Sequence, residues 1–224
     1  MSETEKYEFS TKIRDVEVKY RKWKVKDKKK FINSDGNKKE LREALVYDCI
    51  EDKKIALSED EFKFLLIKIR ETSLEDKVEY AFKCDKCSED FHFTADLNEI
   101  MTAEYKPYDE IVVKNHIFKM GELKNREFYE DAMAISESAD EKNLLDFILH
   151  IESYNDGDGY TFNQLNDIIN ELDADVFEKI FLQWEDMRFK LNNVYEVLCP
   201  HCNHGTYYEF DDMPGFFPAS WDQQ

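Results

Sequence analysis

Two Cys-x-x-Cys pairs constrain this chain more than any other feature of its sequence. Cys84 and Cys87 lie in the segment FKCDKCSEDFHF, and Cys199 and Cys202 lie in VLCPHCNHGTYYEF. Aromatic and polar residues alternate around the first pair, as they do in β-strands that have one buried face. Each pair is therefore predicted to occupy the turn of a β-hairpin, although residues 88–198 separate the two pairs along the chain.

Four cysteines at this spacing suit a zinc ion. Two residues between cysteines allow a tight turn to direct both sulfur atoms at one ion, while backbone amides donate hydrogen bonds to the sulfurs. We therefore predict one structural zinc per chain, held in a closed tetrahedral set by Cys84, Cys87, Cys199 and Cys202. The ion would join two distant segments, so its removal is expected to disrupt the fold as a whole.

Other uses of the cysteines fit the sequence less well. A redox dithiol needs a Cys-x-x-Cys pair at a helix N-terminus, whereas strand-like sequence follows both pairs here. A catalytic zinc keeps one position open for water and usually has three protein ligands. His92, His201 and His204 lie near the pairs, and any of them could replace a cysteine, but four sulfur atoms already fill the coordination shell. Cys49, in the apolar run ALVYDCI, is predicted to be a buried and unreactive side chain.

The composition limits the class of protein. The chain has 224 residues, 42% of them hydrophobic, which suffices for one large core or two small ones. Its formal net charge of −19 would repel a polyphosphate, so nucleic acid is not an expected partner except through a local basic patch. No segment approaches the roughly 20 apolar residues that span a bilayer, and no signal peptide is recognisable, so we expect a cytoplasmic protein without membrane contacts.

Motifs that would indicate catalysis are absent from the sequence. It contains no phosphate-binding glycine loop, nucleophile elbow or HExxH zinc-protease motif, and we therefore expect no enzymatic activity. Catalytic geometry can escape sequence patterns, so an enzyme remains a third possibility. The segment SYNDGDGYT lacks the acidic ligands that a calcium-binding loop requires, and it predicts a turn.

The pattern of apolar residues predicts an α+β protein built around a split four-cysteine zinc ribbon. The two hairpins of the ribbon and the N-terminal helices before it account for residues 36–104 and 191–212. One helix is predicted over residues 37–50. A second is predicted to begin at Ser58, because Ser58 and Glu61 have the spacing of a capping box and an apolar stripe follows them.

Three further regions complete the predicted organisation. Residues 1–35 alternate in places and are rich in lysine and arginine, which predicts a basic, extended N-terminal arm. Residues 105–190 are predicted to form an inserted, mostly helical subdomain that opens with a hairpin turning at Lys114 and Asn115. Residues 213–224 form a short apolar C-terminal tail.

Two surface segments are candidate contacts with a partner. The cations of the arm, with Trp23 among them, belong to a solvated strand edge, to a surface that docks on an acidic partner, or to a contact with nucleic acid. The tail sequence Phe216–Phe217–Pro218 either folds back onto the core or offers a hydrophobic plug to another protein.

Several segments together carry a family resemblance. Residues 19–32 read KYRKWKVKDKKKFI, residues 41–50 read LREALVYDCI, and residues 57–87 read LSEDEFKFLLIKIRETSLEDKVEYAFKCDKC. With CPHC and the trailing FFP near the C-terminus, these segments resemble the baseplate protein family of T4-type contractile-tailed phages. The resemblance covers the two ends of the chain, and over the middle only a similar pattern of hairpin and helices is recognisable.

The resemblance implies a non-enzymatic role in the baseplate hub or in its assembly, with the four cysteines as the metal site. The expected partners are baseplate hub or tape-measure proteins, and an assembly factor or chaperone would cover apolar surface on such a partner until it is incorporated. The protein would act in the host cytoplasm and then either leave or remain in the virion tail baseplate. The alternative is a zinc-ribbon regulatory protein that contacts DNA or the transcription machinery, with binding that weakens steeply as salt increases.

Overall fold

The structure is a computed structural model of the chain. It mixes helices and strands, which confirms the expected α+β class. The chain forms two compact units: the second contains Lys54–Ser58 and Tyr105–Lys190, and the first contains the rest of the chain. The residues whose structure is described are 6–32, 38–100, 102–123, 138–192 and 194–209.

The first unit begins with a hairpin followed by a helix, which differs from the extended arm expected here. Strands β1 (Phe9–Ile13) and β2 (Val16–Tyr20) pair in antiparallel register, and helix α1 (Val25–Ile32) follows them. Val18 and Tyr20 alternate into the core and are 4% and 3% exposed. Because these two side chains are buried, the hairpin packs into the first unit. An extended arm in solvent would leave both faces of its strands exposed.

Two buried ion pairs hold this N-terminal segment against the helices that follow. Arg21 donates to both carboxylate oxygens of Asp27, with Nη1 to Oδ2 at 2.7 Å and Nη2 to Oδ1 at 3.1 Å. Arg21 Nη2 also donates to the carbonyl of Asp48 at 3.0 Å. In the turn between β1 and β2, Arg14 Nε donates to Glu61 Oε1 at 3.2 Å. These buried contacts explain why a lysine-rich segment is folded rather than extended.

Helices α2 (Lys38–Cys49) and α3 (Glu59–Ser73) confirm the two helices predicted from the sequence. The apolar stripe of α3 is buried as expected, and Leu65, Leu66 and Ile69 are all 0% exposed. An amphipathic pattern of this kind places one face of a helix against the core.

Two further hairpins of the first unit carry the cysteines. Strands β3 (Lys77–Lys83) and β4 (Asp90–Asp96) form the first, and β11 (Val194–Leu198) and β12 (Gly205–Glu209) form the second, both antiparallel. The arrangement of strand, cysteine turn and strand is the one predicted from the alternating aromatic residues. Between the hairpins in sequence, the short helix α4 (Leu97–Ile100) precedes β5 (Thr102–Glu104), which pairs with β10 (Lys190–Asn192).

In its described residues, the second unit combines a four-stranded antiparallel sheet with three helices. The sheet order is β6 (Glu110–Val113), β7 (His116–Met120), β8 (Ile151–Tyr154) and β9 (Gly157–Asp158), and the first pair turns at Lys114 and Asn115 as predicted. Residues 153–161 do contain the predicted turn, but it lies within the additional hairpin of β8 and β9. The helices are α5 (Ala139–Leu149), α6 (Phe162–Asn170) and α7 (Ala174–Met187).

Capping boxes determine where two of these helices begin. The Ser138 side chain accepts from the backbone N–H of Glu141 at the start of α5, and Thr161 accepts from that of Gln164 at the start of α6. In each box the third-position side chain also accepts from the backbone N–H of the capping residue. Both reciprocal pairs satisfy N–H groups that a helix cannot satisfy internally.

An aromatic cluster forms the core of the second unit. The Phe147 ring of α5 is fully buried and lies 5.4 Å from that of Trp184, 6.0 Å from that of Phe181 and 6.3 Å from that of Phe118, measured between centroids. The contacts join α5 to α7 and to strand β7. Edge-to-face aromatic contacts at these distances add to the hydrophobic stabilisation of burial.

The tail over residues 213–224, including Phe216, Phe217 and Pro218, lies outside the described residues. Among the helices that the structure does describe, none combines the length and the apolar character needed to cross a membrane.

Candidate metal centre

The turn of the first cysteine hairpin has a defined pattern of backbone hydrogen bonds. The Cys84 N–H donates to the carbonyl of Glu89 at 2.9 Å, and the Ser88 N–H donates back to the carbonyl of Cys84 at 2.8 Å. Ser88 adopts a left-handed backbone conformation with φ of 62°. This reversal allows the chain to leave Cys87 and enter β4 without a longer loop.

The turn of the second hairpin repeats this pattern. The Cys199 N–H donates to the carbonyl of His204 at 2.9 Å, and the Asn203 N–H donates back to the carbonyl of Cys199 at 2.9 Å. Asn203 is left-handed with φ of 54°. The two turns therefore share the same backbone hydrogen bonds and the same left-handed position, and each presents two sulfur atoms on the same side.

The four sulfur atoms lie close together. The Sγ atoms of Cys84 and Cys202 are 3.6 Å apart, those of Cys87 and Cys199 are 3.7 Å apart, and all four lie within 4.8 Å of one another. A tetrahedral zinc site with Zn–S bonds of about 2.3 Å requires sulfurs about 3.8 Å apart. The observed spacing fits a shared ion, and it is much longer than a disulfide bond of about 2.05 Å.

The pKa values of the two sulfurs in the first turn shift in opposite directions. The Cys87 amide donates a hydrogen bond to the Cys84 sulfur, and although burial acts in the opposite direction, this bond and a second from the Lys86 amide lower the pKa of Cys84 to about 6. Cys87 itself receives a hydrogen bond from the Glu89 amide, but burial and the surrounding thiols prevail and raise its pKa to about 12. Each sulfur of this turn accepts a backbone hydrogen bond, so the opposite pKa shifts come from the balance of these bonds against burial and the neighbouring thiols.

The pKa of Cys202 is also subject to opposing effects. The His204 amide donates to its sulfur, but burial and the Cys84 thiol raise the pKa of Cys202 above its usual range. Four thiolates in one cluster therefore need a compensating cation, because each ionised sulfur makes ionisation of its neighbours harder. The donor set suits a soft divalent ion in tetrahedral geometry, of which zinc and iron are the usual examples.

Aromatic pairs bring the two hairpins together behind the cysteines. The rings of Phe82 on β3 and Tyr208 on β12 have centroids 4.7 Å apart, and those of Phe93 on β4 and Tyr195 on β11 are 5.0 Å apart. The hairpins belong to separate two-stranded sheets, so side chains rather than strand pairing join them. These contacts position one cysteine turn opposite the other.

The remaining candidate ligands lie outside the cluster. Among the described residues, the group that is close enough to hold a metal consists of the four cysteines, and His92, His201 and His204 are not part of it. Cys49 is fully buried, and its burial raises the pKa of the thiol to about 12, in keeping with the predicted unreactive side chain.

Sequence reasoning located the cysteines but missed parts of the site around them. The left-handed residues Ser88 and Asn203 follow the first cysteine of their turns by four positions, and only the asparagine is a residue type that favours this conformation. Contacts of Phe82 with Tyr208 and of Phe93 with Tyr195 depend on how the hairpins pack, which no local pattern encodes.

Comparison with known protein families identifies the family of this chain. Residues 4–218 match the family model described as T4 bacteriophage base plate protein. No curated protein matches the sequence, and neither does any solved structure. The family match spans nearly the whole chain, including the second unit, where the resemblance in sequence was only a general pattern. The chain therefore belongs to the T4 bacteriophage base plate protein family and is a phage baseplate-associated protein.

Proposed function

We propose that the chain is a non-enzymatic component or assembly factor of the baseplate hub that binds other tail proteins and holds one structural zinc. The observation that supports the zinc assignment is the close approach of the Cys84, Cys87, Cys199 and Cys202 sulfurs, all within 4.8 Å of one another. Four sulfurs complete the coordination shell, so the site has no open position for a substrate or a reactive water. Its role would be to join the two hairpins.

One face of the second hairpin offers a surface for a partner. Val194, Leu198 and Tyr207 are 46%, 57% and 69% exposed. Their register places them on the same face, since Tyr207 lies opposite Glu196, which is between Val194 and Leu198 in β11. Exposed apolar side chains that cluster on one face mark interaction sites, and the metal would keep this face rigid.

The basic N-terminal segment supports a protein partner over nucleic acid. Several of its cations already have acidic or aromatic neighbours: Arg21 is paired with Asp27, Lys30 Nζ lies 2.6 Å from Asp48 Oδ2, and Lys22 lies over the Phe9 ring. A regulator that reads nucleic acid needs an open patch of positive charge. These pairs reduce the charge that such a patch would require.

Co-expression with the hub and tape-measure proteins of the same phage tests the proposal. Native mass spectrometry should find one zinc per chain and one of these tail proteins bound. The double variant Leu198→Ser/Tyr207→Ser should reduce capture by about tenfold, as expected when central apolar contacts are lost. The matched control Val112→Ser/Leu182→Ser alters two exposed apolar residues of the second unit and should capture the partner normally.

Two results would count against the proposal. Capture of nucleic acid or polymerase subunits, with binding that falls steeply as salt rises, would favour the regulatory alternative. Unchanged solubility and no complex with any hub or tape-measure protein would remove the assembly role.

A further inference from the structure

A pocket opens on the surface of the second unit, between strands β7 and β8 and the end of helix α6. Its volume is about 330 Å³. Strands β7 and β8 contribute two aromatic rings, and helix α6 with the residues that follow it contributes two aliphatic side chains and two carboxylates. The lining residues are His116, Tyr154, Asp167, Ile168, Glu171 and Leu172.

The two rings of the pocket are held in a fixed orientation. His116 Nδ1 and the Tyr154 hydroxyl are joined by a hydrogen bond of 2.8 Å. The rings stack with centroids 6.0 Å apart and an angle of 25° between their planes. Both side chains are half-buried, and Tyr154 also packs on the core residue Phe118 at 4.8 Å between ring centroids. The pocket therefore presents a preformed aromatic wall.

The opposite wall is aliphatic. Ile168 of α6 and Leu172, two residues beyond the end of that helix, are partly buried and pack against the hydrophobic core of the second unit. Both side chains are fixed from behind by the core, so the wall does not need to form when a ligand arrives.

Two carboxylates border these apolar walls. Asp167 and Glu171 are one helical turn apart and exposed, and within the described part of the chain neither carboxylate has a hydrogen bond or an ion pair. Glu171 is also the C-cap of α6, where helix carbonyls add negative partial charge. The sequence of the second unit is acidic as a whole, because residues 105–190 contain 20 Asp and Glu against 9 Lys and Arg. Two exposed carboxylates thus border an apolar cleft, a combination that favours a cationic ligand with an apolar stem.

We propose that this pocket receives an arginine side chain from a partner tail protein. The methylene stem of arginine would lie along Ile168 and Leu172, since such stems bury well on apolar surface. The planar guanidinium would stack on the rings of His116 and Tyr154 and donate hydrogen bonds to the Asp167 and Glu171 carboxylates. An anionic ligand is disfavoured by the same two carboxylates. The source of the arginine rests on the proposed function, whereas its recognition is a property of the pocket alone.

The recognition step can be measured without a partner. The full chain, labelled with ¹⁵N, is titrated with N-acetyl-arginine-N-methylamide and with its neutral counterpart made from citrulline, while amide shifts are followed by NMR. We expect saturable shifts centred on the lining residues, with a dissociation constant on the order of 1–10 mM for a single side chain. Citrulline should bind at least about tenfold more weakly, because it lacks the positive charge.

Two double variants test whether the affinity for arginine depends on the two carboxylates. Asp167→Asn/Glu171→Gln should weaken arginine binding by about tenfold, because both charge-assisted hydrogen bonds become neutral. The control Glu110→Gln/Glu178→Gln removes the same net charge from exposed positions of the second unit outside the pocket and should leave the affinity unchanged. Equal binding of arginine and citrulline, or equal effects of the two double variants, would overturn the proposal.

The capture experiment with tail proteins separates this inference from the proposed function. Reduced capture by Asp167→Asn/Glu171→Gln would support docking through the pocket. If the variant loses arginine binding but captures its partner fully, docking through the pocket is wrong and the proposed function stands. If the wild-type chain binds arginine but captures no tail protein, the proposed function and the protein source of the arginine fail together, and only the recognition of arginine remains.

Discussion

Ser88 and Asn203 occupy the same position in two turns that lie far apart in the chain. Each follows the first cysteine of its turn by four residues, and each donates its backbone N–H to the carbonyl of that cysteine. Both are left-handed, with φ of 62° and 54°. Serine tolerates this conformation less well than asparagine does, so the same geometry is reached at different energetic cost in the two turns.

Glycine substitutions should therefore have opposite effects in the two turns. Ser88→Gly should raise the free energy of unfolding by about 0.5 kcal/mol, because relief of left-handed strain exceeds the added freedom of the unfolded chain. Asn203→Gly should lower it by about 0.5 kcal/mol, because asparagine has little strain to relieve. Urea unfolding of the zinc-saturated proteins measures both values. Shifts of the same sign would show that the turns do not differ in strain.

Loss of a single cysteine from either pair should abolish both zinc binding and folding. Cys84→Ser and Cys199→Ser each leave three sulfurs, and metal binding contributes to folding when the site joins distant segments. Zinc content and circular dichroism should both fall. Cys49→Ala is the matched control: it removes a buried thiol outside the cluster, should keep one zinc, and should cost about 1 kcal/mol for the small cavity. A folded Cys84→Ser variant with a full equivalent of zinc would show that the ligand set is wrong.

The buried pair of Arg21 and Asp27 should make stability depend on pH in the acid range. Burial acts to raise the pKa of Asp27, but hydrogen bonds from Arg21 and the Lys24 amide outweigh it and hold the pKa below its usual value of 3.8. A carboxylate with a lowered pKa contributes stability that is complete above its unfolded pKa and is lost as pH falls through the folded value. We therefore expect a loss that begins below about pH 4.

Comparison of the wild-type chain with Asp27→Asn isolates this contribution. At pH 7 the variant should be less stable by about 3 kcal/mol, because Arg21 remains buried without its carboxylate. The difference should shrink below pH 4 as Asp27 in the wild-type chain becomes protonated. Lys30→Met, which breaks the exposed pair with Asp48, should cost less than about 1 kcal/mol at any pH. A difference between wild type and Asp27→Asn that does not change with pH would contradict this account.

Phe147 should be among the most sensitive positions of the second unit. Its ring lies at the centre of the aromatic cluster and is 0% exposed. Phe147→Ala should lower the free energy of unfolding by about 3–5 kcal/mol through lost burial and the cavity left behind. Leu182→Ala, at a position of α7 that is 59% exposed, should change it by less than about 0.5 kcal/mol. Chemical denaturation followed by near-ultraviolet circular dichroism measures both, and similar losses would mean that the cluster contributes little.

Elements with a strong local period could be predicted from the sequence. Helix α3 repeats its apolar residues at helical spacing from Phe62 to Ile69, about two turns, and strands β3 and β4 alternate aromatic and polar residues around Cys84 and Cys87. In both cases one face of the element is buried, and the spacing of the apolar residues along the sequence indicates which face it is.

Features that depend on contacts between distant residues could not be predicted in this way. The lysine-rich segment was expected to be extended because charged residues give no period, whereas its structure depends on the contacts of Arg21 with Asp27 and Asp48. The pocket combines residues from two strands and a helix, and none of its residues is conspicuous alone. The hairpin of β8 and β9 was predicted only as a turn, since its second strand has two residues.

The separation of the cysteine pairs also sets an order of events during synthesis. At about 5–20 residues per second, a ribosome needs on the order of 6–20 s to proceed from the first pair to the second. Throughout that interval Cys84 and Cys87 have no partners, and the whole second unit emerges before the site can close. Zinc capture would therefore be among the last steps in the maturation of the nascent chain, and a truncated product that stops before Cys199 would carry an open, reactive pair of thiols.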